Sequence, residues 1–155
     1  MAGTREFKEV GEEPAALEAF LAGLARAFEK TLCLFEAQGT ARSSPNSTPA
    51  RVALGWLRPE SIADGYPDAS IPYATGELSY SLNDATGITF PCSADGDEPY
   101  PAPYTNASFS AGTEAWDPDL RMSVLNAAAR VVADGLGCLE ESGLPEGAPE
   151  RVAGG

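Results

Sequence analysis

The sequence predicts a two-layer α+β domain, with an antiparallel four-stranded sheet flanked by long N-terminal and C-terminal helices. Three patterns carry this expectation. Apolar residues recur at helical spacing near both ends of the chain. Short segments between them alternate apolar and polar residues. None of these segments shows the continuous apolar run of a parallel strand buried on both faces.

The C-terminal helix is expected over Asp117 to Gly143. Asp117 suits an N-cap, Pro118 the first helical turn, and Asp119 complements the positive end of the helix dipole. Leu125, Ala128, Ala129, Val132, Leu136 and Leu139 line one face, and Val124, Val131 and Cys138 widen it. Gly143 followed by Pro145 reads as the stop.

From the start of the chain, residues 1–13 are polar and read as a flexible arm, in which Phe7 and Val10 offer docking points. Pro14 opens the N-terminal helix. Leu17, Phe20, Leu21, Leu24, Phe28, Thr31, Leu32 and Phe35 keep helical spacing, and Gly39 ends it. Residues 40–50 form a polar loop. Residues 51–58 alternate as a strand, with Val52, Leu54 and Trp56 on one face. Pro59 ends that strand, Glu60 to Ala63 suit a single helical turn, and residues 64–75 form a loop.

Residues 77–82 alternate cleanly, placing Leu78, Tyr80 and Leu82 inward and Glu77, Ser79 and Ser81 outward. A turn over Asn83 to Gly87 leads to a return strand over 88–92, whose Ile88, Phe90 and Cys92 face inward. Pro91 marks that strand as an edge or a bulge. Residues 93–105 are proline-rich loop. Residues 106–112 supply the last strand, with Ala107, Phe109 and Ala111 on one face. The single domain then spans 14–143, and 144–155 reads as a flexible tail.

Composition narrows the chemistry. The formal net charge is -13, which repels phosphate, so neither direct nucleic-acid binding nor anionic membrane binding is expected. The chain has no histidine, which removes the commonest general base and transition-metal ligand. The three cysteines, Cys33, Cys92 and Cys138, have no C-x-x-C spacing, and reduced thiols are expected. No apolar run reaches membrane-spanning length, and the N-terminus has no apolar signal segment.

Asp95-Gly96-Asp97-Glu98 and Asn83-Asp84 with Thr86 offer oxygen ligands, yet turn chemistry explains both. Glu77 is the one acid placed on a strand, on its outer face. Cys92, at a strand end, has no histidine to activate it. No phosphate-cradling glycine loop, nucleophile elbow or zinc spacing occurs. No catalytic residue, metal or cofactor is therefore expected.

The most informative side chains are aromatic. Tyr66, Tyr73, Tyr100 and Tyr104 lie in proline-rich loops, and Trp116 borders the last helix. Tyrosine supplies rigid amphipathic contact area, and proline lowers the cost of ordering such loops, so these five are the candidate interface residues. The expectation is a non-catalytic interaction or assembly protein, cytoplasmic or in a virion. It would be a homo-oligomer, a dedicated partner protein or a subunit of a larger particle. Two alternatives stand beside it: a small enzyme or ligand-binding protein with a pocket between sheet and helices, and an acidic inhibitor that imitates nucleic acid.

Overall fold

A computed structural model describes residues 7–10, 29–37, 50–83, 85–92, 104–110 and 116–153, with side chains from Arg51 onward within those ranges. Among the described residues, seven strands pair into one antiparallel sheet. They are β1 (Phe7–Val10), β2 (Glu29–Ala37), β3 (Ala50–Leu57), β4 (Ile71–Pro72), β5 (Leu78–Leu82), β6 (Ala85–Pro91) and β7 (Tyr104–Ser110). Their spatial order is β1-β2-β3-β7-β6-β5-β4. Two meanders, β1-β2-β3 and β4-β5-β6-β7, therefore join where β7 lies antiparallel to β3. A 3-10 turn at Pro59–Ser61 follows β3. One α-helix occurs among the described residues, α1 (Pro118–Leu136).

This corrects the expected architecture. The sheet is not four strands between two long helices. Strands β3 to β7 form the five-stranded portion with described side chains, and β1 and β2 extend it. Residues 29–37, expected to close an N-terminal helix, form β2 instead. They pair with β1 on one side and β3 on the other, with a bulge between Thr31 and Cys33. Leu32 to Phe35 is a short continuous apolar run, which periodicity alone assigns to neither helix nor strand, and ladder bonds on both sides decide for strand. The rest of the expected helix, residues 14–28, lies outside the described residues.

The C-terminal helix starts as expected. Asp117 Oδ1 accepts from the Asp119 amide at 2.7 Å, and Pro118 occupies the first turn. It ends earlier, because Gly137 takes a left-handed φ of 78° and its neighbour Cys138 donates back to the Ala133 carbonyl at 2.8 Å.

The α1 side of the sheet forms the core. Register places Leu54, Ala107 and Ile88 in one row, and Trp56, Thr105 and Phe90 in the next. Leu125, Ala129 and Val132 of α1 are fully buried against this face. Each large apolar side chain buried this way contributes about 1.5–3 kcal/mol.

Two placements depart from the sequence reading. In β5 the inward residues are Ser79 and Ser81, both buried, while Leu78, Tyr80 and Leu82 are half-buried on the opposite face. Register forces this, since Ser79 pairs with Ile88 and Ser81 with Thr86, both on the α1 side. The β5–β6 turn is also tighter than expected. Leu82 pairs with Ala85, and Asn83 adopts a positive φ of 51°, which asparagine tolerates.

The thiols differ too. Cys92, just past β6, is joined in a disulfide to Cys138, just past α1. Reduced cysteines are the natural reading of an odd count without local spacing, but a sequence separation of 46 hides this pair. Among the described residues, no helix is long and apolar enough to cross a membrane.

Replacing Cys92 and Cys138 together with serine is expected to lower unfolding free energy by about 4 kcal/mol, from the loop-entropy relation. A denaturant midpoint equal to that of the parent would contradict the bond. Leu125→Ala, in the core, should cost about 2–5 kcal/mol. Val131→Ala, on the exposed side of the same helix, should stay within about 0.5 kcal/mol. Equal losses at the two positions would overturn the orientation of α1.

Candidate functional site

The side-chain cluster with the greatest electrostatic organisation lies where α1, the sheet edge and the last residues of the chain meet. After α1 the chain turns at Gly137 and runs back along the N-terminal half of the helix. Leu144 is buried in the core at 6 % exposure. The Arg130 guanidinium donates to the Leu144 carbonyl. Asn126, itself buried, donates through Nδ2 to the carbonyls of Pro145 at 2.9 Å and Gly147 at 3.3 Å. Its Oδ1 accepts from Thr75 Oγ1 at 2.8 Å. These bonds run through the segment that the sequence reads as a flexible tail.

The segment then pairs with the sheet edge. Tyr73 and Arg151 form an antiparallel bridge. The Ala74 amide donates to the Glu150 carbonyl at 2.8 Å, and the Val152 amide to the Pro72 carbonyl at 3.0 Å. The turn that follows Tyr73 needs glycine at Gly76. Its φ is +57°, and a Cβ there would lie 2.5 Å from the Thr89 carbonyl oxygen.

Asp119 closes this arrangement. One carboxylate oxygen accepts from the Tyr73 hydroxyl at 2.6 Å and from Arg151 Nε at 2.8 Å, and the other accepts from Arg151 at 3.0 Å. The pairing is bidentate, and Asp119 stands in the first turn of α1, where the helix dipole favours an anion. The Arg151 hydrogen bonds, then the Tyr73 hydroxyl, hold the Asp119 carboxyl below its ordinary range. Burial, then the bond to Asp119, pushes the Tyr73 hydroxyl well above its ordinary value of 10.0.

The five candidate interface residues do not converge. Tyr66 is exposed at 44 % in the loop before β4. Tyr73 is buried and committed to Asp119. Tyr104 opens β7 on the face opposite α1, and the negative Glu77 raises its hydroxyl pKa. Trp116 stands edge-on to Phe109 on the α1 side, with ring centroids 5.1 Å apart. Tyr100 lies outside the described residues, as does the Asp95-Gly96-Asp97-Glu98 turn.

Sequence reasoning missed Asp119 and Arg151 as partners. Asp119 reads as a dipole-complementing residue, and Arg151 stands alone in a stretch without periodicity. Among the described residues, no group of three His, Cys, Asp or Glu side chains could hold a metal ion. Two buried atoms there lack hydrogen-bond partners, Thr105 Oγ1 and Arg121 Nε. The cluster itself is a carboxylate fork that holds a guanidinium and a phenol.

The pH dependence follows from the directions of these shifts. Asp119 titrates lower folded than unfolded, so it stabilises the fold above its ordinary value of 3.8, and that contribution is lost as pH falls through the lowered folded value. Tyr73 titrates higher folded than unfolded, so stability is retained below 10.0 and lost as pH rises beyond it. Tyr73→Phe should shrink the alkaline loss in melting-temperature profiles, and Arg151→Ala the acid loss. Profiles that coincide with the parent's at both extremes would show that the cluster does not form. Comparison with protein families, with characterised proteins and with solved structures finds no match for this chain.

Proposed function

We propose that the chain is a non-catalytic assembly protein, which self-associates or serves as a subunit of a larger particle. The observation that supports this reading is the outer face of α1. Leu120, Ala127 and Val131 recur at spacings of seven and four, which aligns them along one stripe, while the half-buried Val124 between them packs against the core. Leu120 is 44 % exposed and Val131 52 %. The inner stripe of α1 is already buried on the sheet, so the helix carries apolar side chains on both sides. A helix of a monomer ordinarily turns charged residues outward.

The partner chemistry is protein. A net charge of -13 disfavours nucleic acid and anionic membrane, and an apolar helix stripe suits another helix or a second copy. Of the aromatic candidates, Tyr66 offers its ring most openly. For location, the proposal is a virion rather than the cytoplasm, because the Cys92–Cys138 disulfide suits an oxidising exterior better than a reducing interior.

Light scattering across ionic strength tests this reading. Copies at this charge repel, so self-association should strengthen as the Debye length falls from about 30 Å at 0.01 M salt to about 10 Å at 0.1 M. Leu120→Glu with Val131→Glu should leave the melting temperature near that of the parent and weaken association at least about 30-fold, as loss of about 2 kcal/mol of interface energy does. A parent that stays monomeric at every salt concentration sinks the self-association form of the proposal.

A further inference from the structure

The last residues of the chain divide at Gly147 into a held part and a lightly gripped part. Before it, the Cys138 disulfide, the buried Leu144 and the two Asn126 bonds to Pro145 and Gly147 fix the backbone. Beyond it, the grip consists of the buried Pro149, two main-chain hydrogen bonds to the β4 region and the Asp119–Arg151 pair. Both side chains of that pair are about half exposed, at 55 % for Asp119 and 52 % for Arg151. The strand that receives the arm, β4, has two residues and ends the strand order of the sheet. Pro149 restricts the arm to extended conformations, which lowers the entropy lost on docking. The six residues 148–153 reach about 20–22 Å when extended.

We infer that this arm exchanges between copies: residues 148–153 of one chain occupy the β4 edge of a second chain, and Arg151 of each grips Asp119 of the other. The occupant is a second copy because the chain's own arm is the segment that fits this edge in register, with its guanidinium set on the carboxylate fork. Exchange keeps every contact of the closed form. Its cost is the loss of intramolecular tethering, which the surface shared by two associated chains offsets. A sheet edge completed by a neighbour is also protected from pairing with other chains. The inference rests on the self-association reading and supplies its geometry.

Charge reversal in separate chains tests it. Asp119→Arg alone and Arg151→Asp alone each set like charges face to face, within one chain and between identical chains. Mixed in equal amounts, the two variants meet opposite charges at both exchanged sites. The expected result, by native mass spectrometry, is a mixed pair holding one chain of each variant, in clear excess over the like pairs of either variant alone. The chain carrying both reversals melts above either single variant, because opposite charges again face each other, and below the parent, because the Tyr73 hydroxyl loses its acceptor on α1 and a cation stands at the helix amino terminus. A mixture without that excess, beside a double variant that melts above both single variants, overturns the inference. If the parent self-associates while the mixture does not pair, exchange fails and the assembly reading stands. If the parent is monomeric throughout and the mixture does not pair, both fail. Should Asp119→Arg not fold, full-length chains carrying Asp119→Cys and Arg151→Cys are mixed and treated with a short bifunctional thiol reagent. Covalent pairs of one chain of each kind, linked through positions 119 and 151 by peptide mapping, support exchange, and their absence overturns it.

Discussion

The packing of α1 on the α1-facing rows of β3, β7 and β6 is the contact on which the rest of this structure depends. The sheet without it would expose Leu54, Ile88, Phe90 and Phe109, all fully buried in the fold. The helix contributes Leu125, Ala129 and Val132 to the same layer. Its orientation then sets the remaining geometry. It delivers Asp119 to the edge strand, Asn126 to the interior beside Thr75, and Cys138 to the end of β6. A rotation of α1 by one residue's arc, about 100°, would break all three at once.

Basic residues are scarce in this chain, ten against 23 acids. Two are committed to the carboxyl-terminal region: Arg151 pairs with Asp119, and Arg130 bonds the Leu144 carbonyl. An exposed ion pair alone stabilises little, since solvent screens it and two long side chains must be ordered. This pair differs in its surroundings. A buried phenol shares the same carboxylate oxygen, and the helix amino terminus lies beneath it. Such a cluster acts less as a source of stability than as a selector of position, because only one register of the arm on β4 brings all three groups together.

The surface divides by chemistry. Acidic side chains keep copies apart at low ionic strength, while the Leu120–Val131 stripe and the exposed Tyr66 ring offer apolar contact. On the far side of the sheet, Leu78, Tyr80 and Leu82 are half-buried. The arm docks on Asp119, and the outer helix stripe starts at Leu120, its neighbour in the chain. Association along the stripe and pairing at the sheet edge would therefore act on neighbouring parts of one surface.

The sequence by itself determined the elements whose signals are local. The alternation of Val52, Leu54 and Trp56, of Ile88 and Phe90, and of Ala107 and Phe109 marks three strands and their inward faces. Asp117 and Pro118 mark the start of α1 through capping and fixed φ. Tertiary structure decided whatever depends on partners distant in the chain. Residues 29–37 hold a short apolar run that periodicity does not assign, and the ladders to β1 and β3 chose strand. Ser79 and Ser81 face the core because pairing with Ile88 and Thr86 sets their side of the sheet, against the pull of three larger neighbours. The candidate site was least legible. Tyr73 was visible as an aromatic in a loop, but Asp119 lies 46 residues from it and Arg151 a further 32. A carboxylate, a phenol and a guanidinium carry no spacing signal when they meet only through the fold. The disulfide is hidden for the same reason: one cysteine ends a strand, the other follows a helix, and only the packing of that helix on that strand brings the sulfurs together.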